Sequence, residues 1–178
     1  MFVASGSLTP EGPVTVETEN ILQEFEEAST ASSLNHKFDF ILDPKKRLQI
    51  PSDIRQLLKK EDDGTFILTK GKWSCIFAFP KSVWEQRKKR IADMDLTSVE
   101  QYQRLQLLNA SSATCPMDKQ FRIKVPDELL AFAGLTKDAT IVGVDDRLEI
   151  WDKQRADAYY KRLENDIAWD DLVDDLLL

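Results

Sequence analysis

The chain has 178 residues, 42% hydrophobic and 31% charged, which is ordinary for a soluble protein and suits one compact domain or two small, closely packed ones. No apolar run approaches the roughly 18 residues that span a bilayer, and Met1–Ser7 lack the Lys or Arg that opens a secretory signal, so a cytoplasmic protein without membrane contact is expected. The net charge of −7 would speak against nucleic acid if it were uniform, but residues 1–33 hold six Glu and no cation, residues 152–178 sum to −4, and residues 34–151 to +3.

Residues 1–33, rich in Ser, Thr, Pro, Gly and Glu, read as an acidic disordered arm, with at most a helical turn at Ile21–Phe25. A first half, 34–82, follows. Phe38–Leu42 and Leu48–Ile50 are short β-like runs separated by the basic turn Pro44-Lys45-Lys46. Pro51 suits a first helical position, and Ile54, Leu57 and Leu58 give a short amphipathic helix that Glu61–Gly64 ends. Strands are predicted at Phe66–Leu68 and Cys75–Phe79. A helical linker, 83–112, carries Val83, Trp84 and Ile91 on an apolar edge, and a capping box at Thr97–Gln101 starts its second helix. The second half, 113–152, contains a strand through Thr114–Met117, a turn at Lys119–Phe121, a strand at Ile123–Val125 and a helix from Pro126 to Ala133 stopped by Gly134. Strands at Thr140–Val144 and Leu148–Trp151 complete it. Residues 153–178 form a C-terminal helix and an acidic amphipathic tail.

The two halves repeat one another. Asp43-Pro-Lys-Lys-Arg47-Leu-Gln-Ile-Pro51 aligns with Asp118-Lys-Gln-Phe-Arg122-Ile-Lys-Val-Pro126, and the alignment runs on without a gap to place Thr65-Phe66-Ile67 over Thr140-Ile141-Val142. Strands this short do not form a stable two-stranded sheet alone, so the halves are expected to interlock into an α+β fold around a small β-barrel, with the two turns close together.

Function is expected to follow those turns. Lys45, Lys46 and Arg47 crowd one tip, and Lys119, Arg122 and Lys124 make a sparser set at the other. Asp43 and Asp118 are placed to order the loops. One reading is phosphate positioning and base-edge recognition; the bland one is an Asp–Arg bridge across each turn with solvated lysines. Repetition of the turn favours the first, because folding needs the apolar positions more than the lysines. The run Arg87–Arg90 reads as a solvated helix face, the four Trp as packing residues, His36 as a surface residue, and Cys75 and Cys115 as small buried hydrophobes. No nucleophile–base set, phosphate-binding Gly loop, metal-ligand cluster or cofactor motif is present, so no catalysis, metal or cofactor is expected.

Together these residues resemble the MraZ family, transcription regulators of the bacterial division and cell-wall cluster within the AbrB-like swapped-hairpin superfamily. The resemblance rests on Leu42–Pro51, on Leu68-Thr-Lys-Gly71 followed by Cys75–Pro80 and Trp84, on Asp118–Arg122, and on Val142–Trp151, and covers about 34–161. It implies two AbrB-like β-hairpin/helix halves in a double-psi or swapped-hairpin barrel, a ring-shaped homo-oligomer, nucleoid association, and binding to direct repeats in promoter DNA. Arg47 and Arg122 would contact DNA, and Asp43 and Asp118 would order their loops. The family usually has Gly before each arginine, where Lys46 and Phe121 stand here. If the turn needs φ > 0, a non-Gly residue costs on the order of 1 kcal/mol and the geometry is expected to change. Lys46 could offset this with a phosphate contact; Phe121 could not, so the second turn is expected to read DNA less well. The alternative is an antitoxin-like interaction module on the same scaffold, with the acidic termini as contacts for a protein partner.

Overall fold

The computed structural model describes residues 36–92 and 98–177. The expected arm at 1–33 and Thr97 of the expected capping box lie outside them. In chain order the elements are β1 (His36–Ile41), β2 (Arg47–Gln49), α1 (Ser52–Leu57), β3 (Thr65–Lys70), β4 (Ile76–Pro80), α2 (Lys81–Ala92), α3 (Val99–Ala110), β5 (Ala113–Pro116), β6 (Arg122–Lys124), α4 (Asp127–Ala133), β7 (Asp138–Val144), β8 (Arg147–Asp152), α5 (Lys153–Asp166) and α6 (Trp169–Leu177). The class is α+β, and every strand pairing is antiparallel.

Six strands form one sheet in the order β1-β7-β8-β4-β3-β5, and β2 pairs with β6 as a separate ribbon. The first strand of each half therefore adds to the hairpin of the other half. An open sheet replaces the expected closed barrel: β1 and β5 are its edges, and the two strands that could have closed it pair with each other instead. The arrangement has pseudo-two-fold symmetry. Leu48 faces Ile123 at the centre of the ribbon, and Phe77 faces Glu149 at the centre of the β4–β8 pair.

Period-2 alternation divides the sheet between two sets of neighbours. Phe66, Leu68, Ile76, Ala78, Leu148 and Ile150 bury one face under the ribbon and helices α1 and α4, with Leu48, Ile123, Ile54 and Leu129 in the same cluster. Ile67 and Phe79 pack on Trp84 of α2, while Cys75 and Trp151 pack on Ala156 of α5. Burying each such large aliphatic side chain contributes about 1.5–3 kcal/mol. The ribbon is too short to hold itself together, so it depends on this packing for its position.

Two details correct the sequence reading. Pro51 and Pro126 cap their helices from outside, in extended conformation with ψ of 148° and 145°, and helix begins one residue later. The repeat is also not gap-free beyond the helices. Leu68 pairs with Ala113 as Ile141 pairs with Phe38, and Met117 N–H donates to Gly64 C=O as Leu42 N–H donates to Lys137 C=O. The counterpart of Phe66 is thus Ala139, not Ile141. The cause is the exit from each first helix. The first half spends residues on a 3₁₀ turn at Lys60–Asp62 and on left-handed Asp63 and Gly64, whereas Gly134 (φ 65°) ends α4 at once and lets Leu135 N–H donate to Leu130 C=O.

Candidate nucleic-acid interface

The turn from Asp43 to Arg47 is closed by its own backbone and by one carboxylate. Asp43 N–H donates to Arg47 C=O (3.0 Å) and Lys46 N–H to Asp43 C=O (2.8 Å). Asp43 Oδ1 accepts from the N–H groups of Lys45 (2.8 Å) and Arg47 (2.9 Å), while Oδ2 accepts from Arg47 Nε (2.7 Å). The second turn repeats this bond for bond. Asp118 Oδ1 accepts from Gln120 N–H (2.8 Å) and Arg122 N–H (3.1 Å), and Oδ2 from Arg122 Nε (3.0 Å) and Nη2 (2.8 Å). Asp can do this because its short side chain reaches backbone donors two and four residues on, an Asx-type turn.

The ribbon brings the two turns together. Ile50 N–H donates to Phe121 C=O and Val125 N–H to Lys46 C=O, each at 2.9 Å. Arg47 Nη1 lies 3.4 Å from Asp118 Oδ2, and Arg122 Nη1 lies 3.6 Å from Asp43 Oδ2. Two guanidinium groups and two carboxylates therefore form one half-buried cluster. Because Leu48 and Ile123 point into the core, the alternation puts Arg47, Gln49, Arg122 and Lys124 on the outer face of the ribbon.

Lys46 and Phe121 both adopt positive φ, 62° and 60°. Both turns thus keep the left-handed step despite lacking Gly, and each bears its cost of about 1 kcal/mol. Phe121 does not distort the second turn, contrary to the expectation of a changed geometry. Each residue is anchored on the other half. Lys46 Nζ donates to Asp127 Oδ1 at the start of α4 (2.7 Å), and Phe121 lies under the Arg55 guanidinium of α1, 3.9 Å from its ring centroid. Lys45, Lys119 and Lys124 are exposed.

The electrostatics follow from the bonding. Hydrogen bonds from Arg122 hold the Asp118 carboxyl down at about 2, from its ordinary 3.8; Arg47 lowers Asp43 likewise, and Lys46 lowers Asp127. A depressed carboxyl stabilises the fold above its unfolded value near 4, and that contribution is lost as pH falls towards 2. A carboxyl-carbon NMR titration should accordingly find the Asp118 midpoint near 2, and Arg122→Ala should move it upward. A wild-type midpoint at the ordinary value would contradict the bridged turn.

Sequence reasoning missed three participants. Gln49 lies on the ribbon's outer face and donates from Nε2 to Gln120 C=O (3.1 Å); its position two residues after Arg47 was the available signal. Asp127 and Arg55 gave none, because their contacts cross between halves. Elsewhere, Arg87 is not simply solvated: it pairs with Asp146 in the β7–β8 turn at 2.5 Å and lies 5.0 Å from the Phe79 ring. Trp84 and Trp151 are packing residues as expected, but Trp73 and Trp169 are exposed. Cys75 and Cys115 are free, and burial pushes their thiols up to about 12 and about 11. Among the described residues no His/Cys/Asp/Glu group is arranged to hold a metal ion, and no helix is long and apolar enough to cross a membrane.

A family model described as "MraZ protein, putative antitoxin-like" matches the chain twice in tandem, over residues 34–107 and 108–172. The two matches divide the chain between the same two copies that the strand pairing relates, and each includes one Asp–Arg turn.

Proposed function

From the premise that the chain belongs to the MraZ family, whose membership points to a regulator-like role, we propose that it is a sequence-specific, double-stranded DNA-binding transcription regulator. It would act without catalysis or cofactor, in the nucleoid, on direct repeats in the promoter of a division and cell-wall gene cluster. The observation that carries this reading is the paired Asp–Arg cluster on the outer face of a two-stranded ribbon. The major groove, about 12 Å wide, admits such a ribbon, and Arg is the commonest reader of guanine there. Holding each guanidinium in advance through Asp43 or Asp118 lowers the ordering cost of binding. Gln49 adds an amide of the kind that pairs with adenine, and Lys45, Lys119 and Lys124 supply phosphate contacts. Lys46 can reach a phosphate by leaving Asp127.

The chain is also proposed to assemble into a ring-shaped homo-oligomer, which would set several reading ribbons against successive repeats. Sheet edges β1 and β5 and the exposed apolar residues of α3, Val99, Tyr102 and Leu107, favour self-association. A second reading, an antitoxin-like module that binds a protein, is favoured by the acidic helix α6 with its exposed Trp169 and Val173. Titrating labelled DNA from the region upstream of the chain's own gene against a scrambled duplex separates the two. Preferential, salt-sensitive binding of the upstream DNA is expected; equal weak binding of both would remove the proposal.

A further inference from the structure

Behind the first turn lies a cleft of about 620 Å³, in which apolar residues such as Ile41, Leu130 and Leu135 are joined by Asp43, Lys137 and the Lys46–Asp127 pair. Its floor is apolar, and Ile41 at its lip is 66% exposed. The pseudo-symmetric cleft behind the second turn is lined by Arg55, Leu58, Met117 and Phe121, among others. That cleft is smaller, about 270 Å³, and Phe121 lays its ring against Arg55 along its wall. In the first half the matching residue is Lys46, which reaches across to Asp127, and the matching floor residue is Leu130. The first cleft is thus the larger of the two and lacks the aromatic side chain that its twin has.

Helix α6 offers the complement. Its sequence, Trp169-Asp-Asp-Leu-Val-Asp-Asp-Leu-Leu, puts apolar residues at 169, 172, 173 and 176, the spacing of one helical stripe, and four Asp on the rest with no cation. Trp169 is 68% exposed, and Ile167 and Val173 are exposed beside it. Exposed apolar residues such as Trp169 and Val173 on one helical stripe mark an interaction surface. Charge agrees with shape. The carboxylates that line the cleft, Asp43 and Asp127, are already paired with Arg47 and Lys46, whereas among the described residues Lys137 at the cleft and Lys45 on the adjoining turn form no ion pair, and neither do Asp170, Asp174 and Asp175 of α6.

We propose that the first cleft receives helix α6 of a second copy, with Trp169 occupying the place that Phe121 occupies in the second half. Trp169 does not line the cleft of its own chain, so the contact runs between copies. It joins two different patches, a heterologous interface of the kind that closes into rings when the rotation allows. The proposal deepens the self-assembly reading above and rests on it.

Light scattering on the full chain, on Trp169→Ala and on Ile41→Lys tests it. Both substituted residues are exposed, so neither change threatens the core. The wild type should exceed the 20.4 kDa of one chain, and each variant should dissociate at concentrations on the order of tenfold higher or more, as for loss of a central aromatic anchor. Ile41→Cys mixed with Trp169→Cys should also give a disulfide between copies on oxidation. A wild-type oligomer unaffected by either variant would overturn the cleft while leaving assembly standing. Weakening by Trp169→Ala alone would send α6 to another surface and overturn it too. A wild type at the mass of a single chain would remove assembly itself, and the proposal with it.

Discussion

Arg47→Ala should cost roughly 1–3 kcal/mol of DNA affinity per ribbon engaged, the worth of one bidentate arginine–guanine contact. Arg122→Ala should cost about as much. The sequence alone favoured Arg47, because Phe121 stood where Gly is usual. The structure removes that reason: the two turns share the same backbone bonds, both left-handed residues have φ near 60°, and each arginine is held by its own Asp within 3.0 Å. In an assembly that engages several repeats the losses multiply, so either variant should abolish a visible gel shift. Lys119→Ala should behave differently, weakening all sequences alike and lowering the salt slope by about one ion per ribbon. Circular dichroism checks the fold of each variant. Full affinity in both arginine variants would show that the turns do not read DNA.

The largest stability effect is expected at the centre of the ribbon. Leu48 and Ile123 face one another and are fully buried. Truncating either to Ala should cost about 2–5 kcal/mol, because transfer energy is lost and a cavity remains between ribbon and sheet. Since the two are neighbours, the double variant should not equal the sum of the singles. Urea unfolding measures this; a cost below about 1 kcal/mol would mean that the ribbon is not seated on the core as described.

Local chemistry was the legible part of this fold. Asp four residues before Arg, with turn formers between, announced both Asp–Arg turns, and Gly134 announced the end of α4. Hydrophobic runs located the strands of the sheet to within a few residues. What could not be read was the pairing of distant segments. Nothing in Leu48 or Ile123 says that three-residue strands 75 positions apart will pair with each other and leave the sheet open. The slip of the repeat after the helices was hidden for a related reason. Thr65-Phe66-Ile67 and Thr140-Ile141-Val142 look alike, yet the different helix exits make Ala139, not Ile141, the counterpart of Phe66. The anchors of the site were equally hidden, because Lys46–Asp127 and Arg55–Phe121 each join one half to the other.

The two Asp–Arg turns are proposed to act as one DNA-reading surface. Hydrogen–deuterium exchange, read by mass spectrometry with and without the upstream duplex, reports on both turns at once. Peptides covering 43–49 and 118–124 should both slow on DNA binding, while those covering α5 and α6 should not. Protection confined to one turn, or protection of α6 with both turns unchanged, would contradict it.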